Sequence, residues 1–117
     1  THLDCSDNPL MSLDVSNNTK LTHLWCINNQ LSSLNVSNNT ALTWLECHNN
    51  QLISLNVSNN TALTRLLCHD NQLDANALNT IFTALPYTGG YIFIRNNPGT
   101  GTCDSSIATN KGWTVGY

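Results

Sequence analysis

Four cysteines recur at a constant interval in this chain, and a cysteine thiolate is both a nucleophile and a metal ligand. They are Cys5, Cys26, Cys47 and Cys68, each 21 residues after the one before. Four thiolates can hold a zinc ion if every sulfur lies about 2.3 Å from the metal. Two thiols can form a disulfide if their Cα atoms lie within about 7 Å. Where the fold places the cysteines decides among these chemistries.

Histidines are the second set of residues that could do chemistry. Two pairs share the 21-residue interval: His2 with His23, and His48 with His69. Imidazoles on neighbouring strands, about 4.8 Å apart, could share a metal ion, with Glu46 or Asp70 as a further ligand of the second pair. We assign no metal, because histidine columns on a repeat surface are more commonly incidental. Their protonation near pH ~6.5 could instead tune binding at acidic pH.

Motifs of catalysis are absent from the sequence. It contains no G-x-S-x-G, no H-E-x-x-H and no Gly-rich phosphate loop,. We therefore predict that the chain is not an enzyme and assign neither a catalytic residue nor a cofactor. The four Lys and Arg residues are scattered and the net charge is -3, which argues against a nucleic-acid partner,. No apolar run approaches the ~20 residues that span a bilayer.

The cysteines are part of a repeat that covers most of the chain and defines the elements that position them. Three complete copies of a 21-residue unit precede a fourth that begins at Leu66. Leucines at this spacing predict a leucine-rich repeat solenoid. The predicted fold is α/β: a right-handed solenoid with a short parallel concave β-sheet, a mostly irregular convex side and a helix–strand C-terminal cap.

The repeat predicts an inward-facing column of cysteines. Leu45 and Cys47 are two residues apart, so both point to the core side of one strand. Ile94 occupies the cysteine position in the C-terminal copy, which indicates a packing role. Four thiols in a straight column spread over about 14 Å, too far for one zinc ion, and parallel side chains suit a disulfide poorly. We predict unreactive core thiols, with Cys103 outside the column as a free, partly exposed thiol.

An asparagine follows each predicted strand at the turn. Buried amides there can satisfy the backbone groups of their own turn and of the next coil. We therefore predict an internal ladder whose members are Asn8, Asn29, Asn50, Asn71 and Asn97.

The period breaks after Leu73, so we divide the chain into repeats, residues 1–74, and a C-terminal cap, residues 75–117. An apolar pattern at Leu78, Ile81, Phe82 and Leu85 predicts an amphipathic helix. Asp74 is its expected N-cap and Pro86 its stop. Further along we expect a strand over Tyr91–Arg95, a short helix over Ser105–Asn110 capped by Asp104, and a last strand at Trp113.

The N-terminal end has no comparable cap, because residue 1 falls inside a repeat. We expect the first strand to pair with another copy of the chain, or to be covered by upstream repeats.

Residues 42–62 closely match the pattern LxxLxLxxNxLxxLDL, with Cys47 in place of the third Leu. This resembles the short leucine-rich repeat class of bacterial surface and secreted proteins, and the ending "SIATNKGWTV" looks like the terminal segment that such proteins often carry. The resemblance implies an extracellular or cell-surface location, and adhesion or partner binding without catalysis.

Residues that flank the inward strand positions point to the concave side, which we call the strand face. They differ from copy to copy, as a binding surface would. The residues predicted to bind a ligand are Trp25, Trp44, Glu46, His48, Arg65, His69, Tyr91, Phe93 and Arg95. The expected ligand is a protein or peptide. The alternatives are a glycan stacked on the two tryptophans, a structural spacer or accessory domain of a larger enzyme or adhesin, or aromatic side chains that only cover the sheet.

Overall fold

Six short parallel strands form one sheet in sequence order in the computed structural model, which describes all residues from 1 to 117. The strands are β1 (His2–Asp4), β2 (His23–Trp25), β3 (Trp44–Glu46), β4 (Arg65–Leu67), β5 (Gly90–Phe93) and β6 (Trp113–Gly116). The helices are α1 (Ala75–Ala84) and α2 (Ser106–Thr109). The predicted solenoid with a parallel sheet and a helix–strand cap is confirmed.

The strand register places equivalent residues of the repeat directly beside one another. Leu24 pairs with Leu45, Leu45 with Leu66, and Leu66 with Ile92, and all four are fully buried. They lie in a hydrophobic cluster of 25 buried residues that continues from the repeats into the cap. Each coil therefore buries its apolar side against its neighbours, as in other repeat proteins.

Each coil turns through one residue in the left-handed region immediately after its strand. These residues are Asp7, Asn28, Asn49, Asp70 and Asn96, with φ between 53° and 59°. Asn and Asp tolerate this conformation better than other non-glycine residues do. The repeat thus places Asn or Asp where the backbone needs it.

The predicted asparagine ladder follows these turns. Asn50 donates from Nδ2 to the carbonyls of Cys26, Cys47 and His48, and its Oδ1 accepts from the amide N–H of Leu31. Asn29, Asn71 and Asn97 are buried in the same way, but Asn8 is exposed and donates only within its own turn. The prediction for Asn8 is wrong because no preceding coil covers it.

A second buried asparagine ladder was not predicted. Asn39 donates from Nδ2 to the carbonyls of Val15 and Asn18, and both Asn39 and Asn60 are fully buried. Asn60 repeats the pattern one coil later. We expected a simple surface turn over the "SNNTA" stretch, so the signal in its 21-residue recurrence was missed.

The cap forms as predicted around α1, although several boundaries differ. Asp74 accepts from the amide N–H of Ala77 and caps the helix, while Leu78, Ile81 and Phe82 are buried. Strand β5 ends at Phe93 rather than Arg95, and α2 is shorter than predicted at both ends. Neither helix is long and apolar enough to cross a membrane.

The cysteine column lies inside the solenoid. Cys26, Cys47 and Cys68 are fully buried, while Cys5, in the first coil, is half-buried. The Sγ of Cys26 donates to the carbonyl of Glu46 on the next strand, 3.6 Å away. Burial raises the pKa of the Cys26 and Cys68 thiols to about 12 and that of Cys47 well above its usual value. These thiols therefore remain protonated and poorly nucleophilic at neutral pH.

We expect thiol-reactive probes to separate the five cysteines into two groups. In the folded protein at pH 8, Ellman's reagent should modify the half-buried Cys5 and Cys103 first. The three buried thiols should react only on unfolding, because access and thiolate formation both require opening of the core. Mass spectrometry of the modified peptides gives the order, and rapid labelling of Cys47 in the native state would contradict it.

Candidate functional site

The strand face carries the largest side chains that the repeats do not bury. Trp25, Trp44 and Phe93 are half-buried, and Tyr91 is 36% exposed. Neighbouring strands place these side chains next to one another, since each position of one strand pairs with the matching position of the next. The aromatic residues thus form a connected surface rather than isolated groups.

The two tryptophans pack edge to face. Their ring centroids lie 5.6 Å apart with an interplanar angle of 71°. His23 packs against both indoles, 6.3 Å from Trp25 and 5.4 Å from Trp44. Such geometry stabilises an aromatic pair by about 0.5–1.5 kcal/mol beyond its area burial. His23 was not among the predicted site residues, although its column position beside Trp44 placed it there.

The polar edges of this cluster differ in their partners. Trp44 donates from Nε1 to the Glu46 carboxylate at 2.8 Å, two residues along the same strand. Trp25 Nε1 is buried without a hydrogen-bond partner. The Trp44 indole is therefore oriented by an ionic acceptor, while Trp25 is held by packing.

Both arginines of the chain contact aromatic rings of the strand face. The Arg65 guanidinium lies 4.6 Å from the centroid of Trp44, and that of Arg95 lies 5.2 Å from Phe93. Both side chains are exposed. Stacking of this kind holds a guanidinium in place while its N–H donors stay directed outward in the plane of the group.

The histidines of the third column form a stack. The rings of His48 and His69 are 4.1 Å apart and only 15° from parallel, and Phe93 packs on His69 at 4.4 Å. His69 is 8% exposed and its Nδ1 has no hydrogen-bond partner. The prediction that His69 lies exposed on the strand face is therefore wrong: Phe93 and His48 cover its two sides.

The stack explains the titration of its members. Burial, the neighbouring His48 and Arg95 lower the pKa of His69 to about 4, against an opposing effect of Asp70, whose carboxylate lies 3.8 Å from Nε2. Burial also lowers the pKa of His48, against the opposing charges of Glu46 and Asp70. The lone pairs of two stacked imidazoles point in parallel directions and do not converge on one point, so this arrangement does not suit a shared metal ion.

The predicted site residues thus fall into two adjoining groups. Trp25, Trp44, Glu46 and Arg65 make one group around the Trp44 indole. His48, His69, Phe93 and Arg95 make the other group around the histidine stack. Tyr91 lies beside Phe93, with ring centroids 6.4 Å apart.

The stacked strands, the buried asparagine ladder and the cap define a leucine-rich repeat protein. The chain is similar to the functional domain of InlJ from Listeria monocytogenes, with 31% identity, 98% of this chain covered and a TM-score of 0.70. It is also similar to the internalin inlF from L. monocytogenes strain 4b F2365, with 31% identity, 86% of this chain covered and a TM-score of 0.67.

The chain spans 29% of the length of each of these two internalin structures. The InlJ domain includes a cysteine ladder, and this chain has its own column of four cysteines. No protein-family model and no curated protein matches the sequence.

Proposed function

We propose that this chain is a non-enzymatic recognition module of an exported bacterial surface protein, and that it binds a protein or peptide through the strand face. The observation that carries the proposal is where the chemistry lies. The repeat turns present Asn, Ser and Thr, whereas the strand face collects both arginines, two tryptophans and a buried-edge histidine stack. Aromatic and Arg residues dominate binding energies at protein interfaces.

The likeness to internalins supports the same proposal. Both similar structures are internalins, and internalin-like solenoids are recognition proteins of the bacterial surface. A cell-surface or secreted location for this chain follows from that likeness and is part of the proposal.

The geometry favours a protein ligand over a glycan. Sugar rings stack on a flat aromatic face that is open to solvent. In this chain Arg65 lies over Trp44, His23 is tilted against it, and the two indoles are nearly perpendicular. The tryptophans therefore offer edges and a guanidinium rather than an open platform, which suits the irregular surface of a protein.

Replacement of Trp44 by Ala is expected to reduce partner binding by about tenfold or more, because it removes the ring that holds Arg65 and His23 in place. The measurement is affinity capture from surface-protein extracts, followed by determination of the dissociation constant for each recovered protein. The matched control is Tyr87→Ala, which removes an aromatic ring that is 80% exposed on the cap.

Binding lost in the Trp44 variant and kept in the Tyr87 control supports the proposal, provided that the melting temperatures agree within a few degrees. Equal recovery of the same partners by Trp44→Ala and by wild type would show that the strand face is not the binding site. A chain that recovers no partner at all would instead be a spacer.

A further inference from the structure

The charged groups of the strand face are unequally satisfied. Its acidic side chains all have donors: Glu46 accepts from Trp44 Nε1, Asp4 from the amide N–H of Ser6, and Asp70 from Asn96 Nδ2. The arginines have no acceptor, since the ion pair of the chain joins His69 and Asp70. The face therefore has unused hydrogen-bond donors with positive charge and no unused acceptors of that strength.

Stacking prepares these two guanidinium groups for an anionic ligand. Arg65 rests on Trp44 and Arg95 on Phe93, so little side-chain freedom remains to be lost on binding,. A stacked guanidinium keeps its in-plane N–H pairs free for the two oxygens of a carboxylate, the acceptor that it matches in shape. The net charge of -3 for the whole chain makes this local positive charge a selective feature.

The strand register sets the distance between the two arginines. Leu67 pairs with Phe93, so Arg95 aligns with His69, four residues beyond Arg65 and one strand over. At about 3.3 Å per residue and 4.8 Å between strands, the two backbone positions are about 14 Å apart. An extended chain spans this distance in about four residues, and residues i, i+2 and i+4 point to the same side.

We propose that the strand face binds an extended acidic segment of a protein partner, with carboxylates at positions i and i+4 on Arg65 and Arg95. The side chain at i+2 is apolar and rests on the surface between Leu67 and Phe93, both half-buried. This inference rests on the proposed recognition function and specifies the chemistry of its ligand.

The test is selection of short random peptides displayed on phage against the 117-residue chain. Enriched peptides are expected to carry Asp or Glu four residues apart with an apolar residue between them. Synthetic versions should lose about tenfold or more in affinity when both acids become Gln or Asn. Fluorescence anisotropy with labelled peptides, at low and high salt, gives the dissociation constants, and binding should weaken as salt rises.

Protein variants locate the contacts. Arg65→Gln and Arg95→Gln should each weaken the acidic peptides by about three- to tenfold, and the double variant by more. Arg65→Lys should recover only part of the loss, because an ammonium keeps the charge but neither stacks nor forks. The control is Lys20→Gln, which removes an exposed charge outside the strand face and should leave affinity unchanged.

The outcomes distinguish this inference from the proposed function. Enrichment of neutral or basic peptides that depend on Trp44 would overturn the acidic segment and leave the recognition surface in place. Failure to enrich any peptide, or equal weakening by Lys20→Gln, would also overturn it. Partner capture by the Trp44 and Tyr87 variants would then still decide the recognition function by itself.

Discussion

Replacement of Asn71 by Asp is expected to destabilise the fold by at least about 4 kcal/mol, a large part of the 5–15 kcal/mol typical of a domain. Asn71 is 2% exposed, and its Nδ2 donates to the carbonyls of Cys47, Cys68 and His69. Its Oδ1 accepts from the amide N–H of Leu52. Aspartate keeps that acceptor but replaces the donor with a buried oxygen that faces three carbonyls, and a buried unpaired charge is strongly unfavourable.

Asn71→Ala separates the two parts of this effect. It should destabilise by about 3 kcal/mol, since it leaves the same backbone groups unpaired without adding a charge. Urea unfolding followed by circular dichroism measures both variants.

The control for Asn71→Asp is the same change at Asn8, the exposed first member of the ladder. Asn8 donates only to the carbonyls of Cys5 and Ser6, within its own turn. We expect a loss of about 1 kcal/mol or less there, because water can replace the amide. Similar losses at the two positions would show that the ladder does not hold neighbouring coils together.

Acidification is expected to destabilise the chain by about 2 kcal/mol through His69 alone. A pKa of about 4 in the folded state lies below the usual value of 6.5, so the unfolded chain binds the proton more readily. The stability contributed by neutral His69 is fully present above pH 6.5 and falls as the pH decreases towards 4. The full difference corresponds to about 3 kcal/mol, which screening near Asp70 reduces.

His69→Phe tests this expectation, because a phenyl ring keeps the stack between His48 and Phe93 but does not titrate. Free energies of unfolding from urea titrations at pH 7.5, 6 and 4.5 should fall less steeply for the variant than for wild type. A residual slope is expected, since burial also lowers the pKa of His48 and of His23. Identical slopes in variant and wild type would contradict the assignment to His69.

The repeat architecture could be predicted because its causes are local and recur along the chain. A Leu and a Cys two residues apart, followed by Asn or Asp at a left-handed turn, define one coil, and the same order of residues returns 21 positions later. Equivalent residues of identical coils can satisfy one another only when stacked, which determines both the sheet and its register. The helix α1 was similarly readable from Asp74 and the apolar positions that follow it.

The strand face could be predicted as a set of columns but not as a set of contacts. The column order placed Trp25 near Trp44 and His48 near His69, but it carried no information on ring angles or on which face each ring presents. The burial of His69 depends on Phe93, which belongs to the next coil and is reached through the 26-residue offset of the cap. A change of offset alters the neighbours of a side chain without any local sign at that side chain.

The amino-acid sequence by itself therefore determined the solenoid, the inward cysteine column and the residues available on its strand face. It could do so because a period of 21 residues imposes the same short-range constraints on every coil,. Only the tertiary structure decided that both arginines stack on aromatic rings without an anionic partner, and that His69 is enclosed. The physical reason is that these contacts join different coils, where side-chain packing and not sequence spacing selects the geometry.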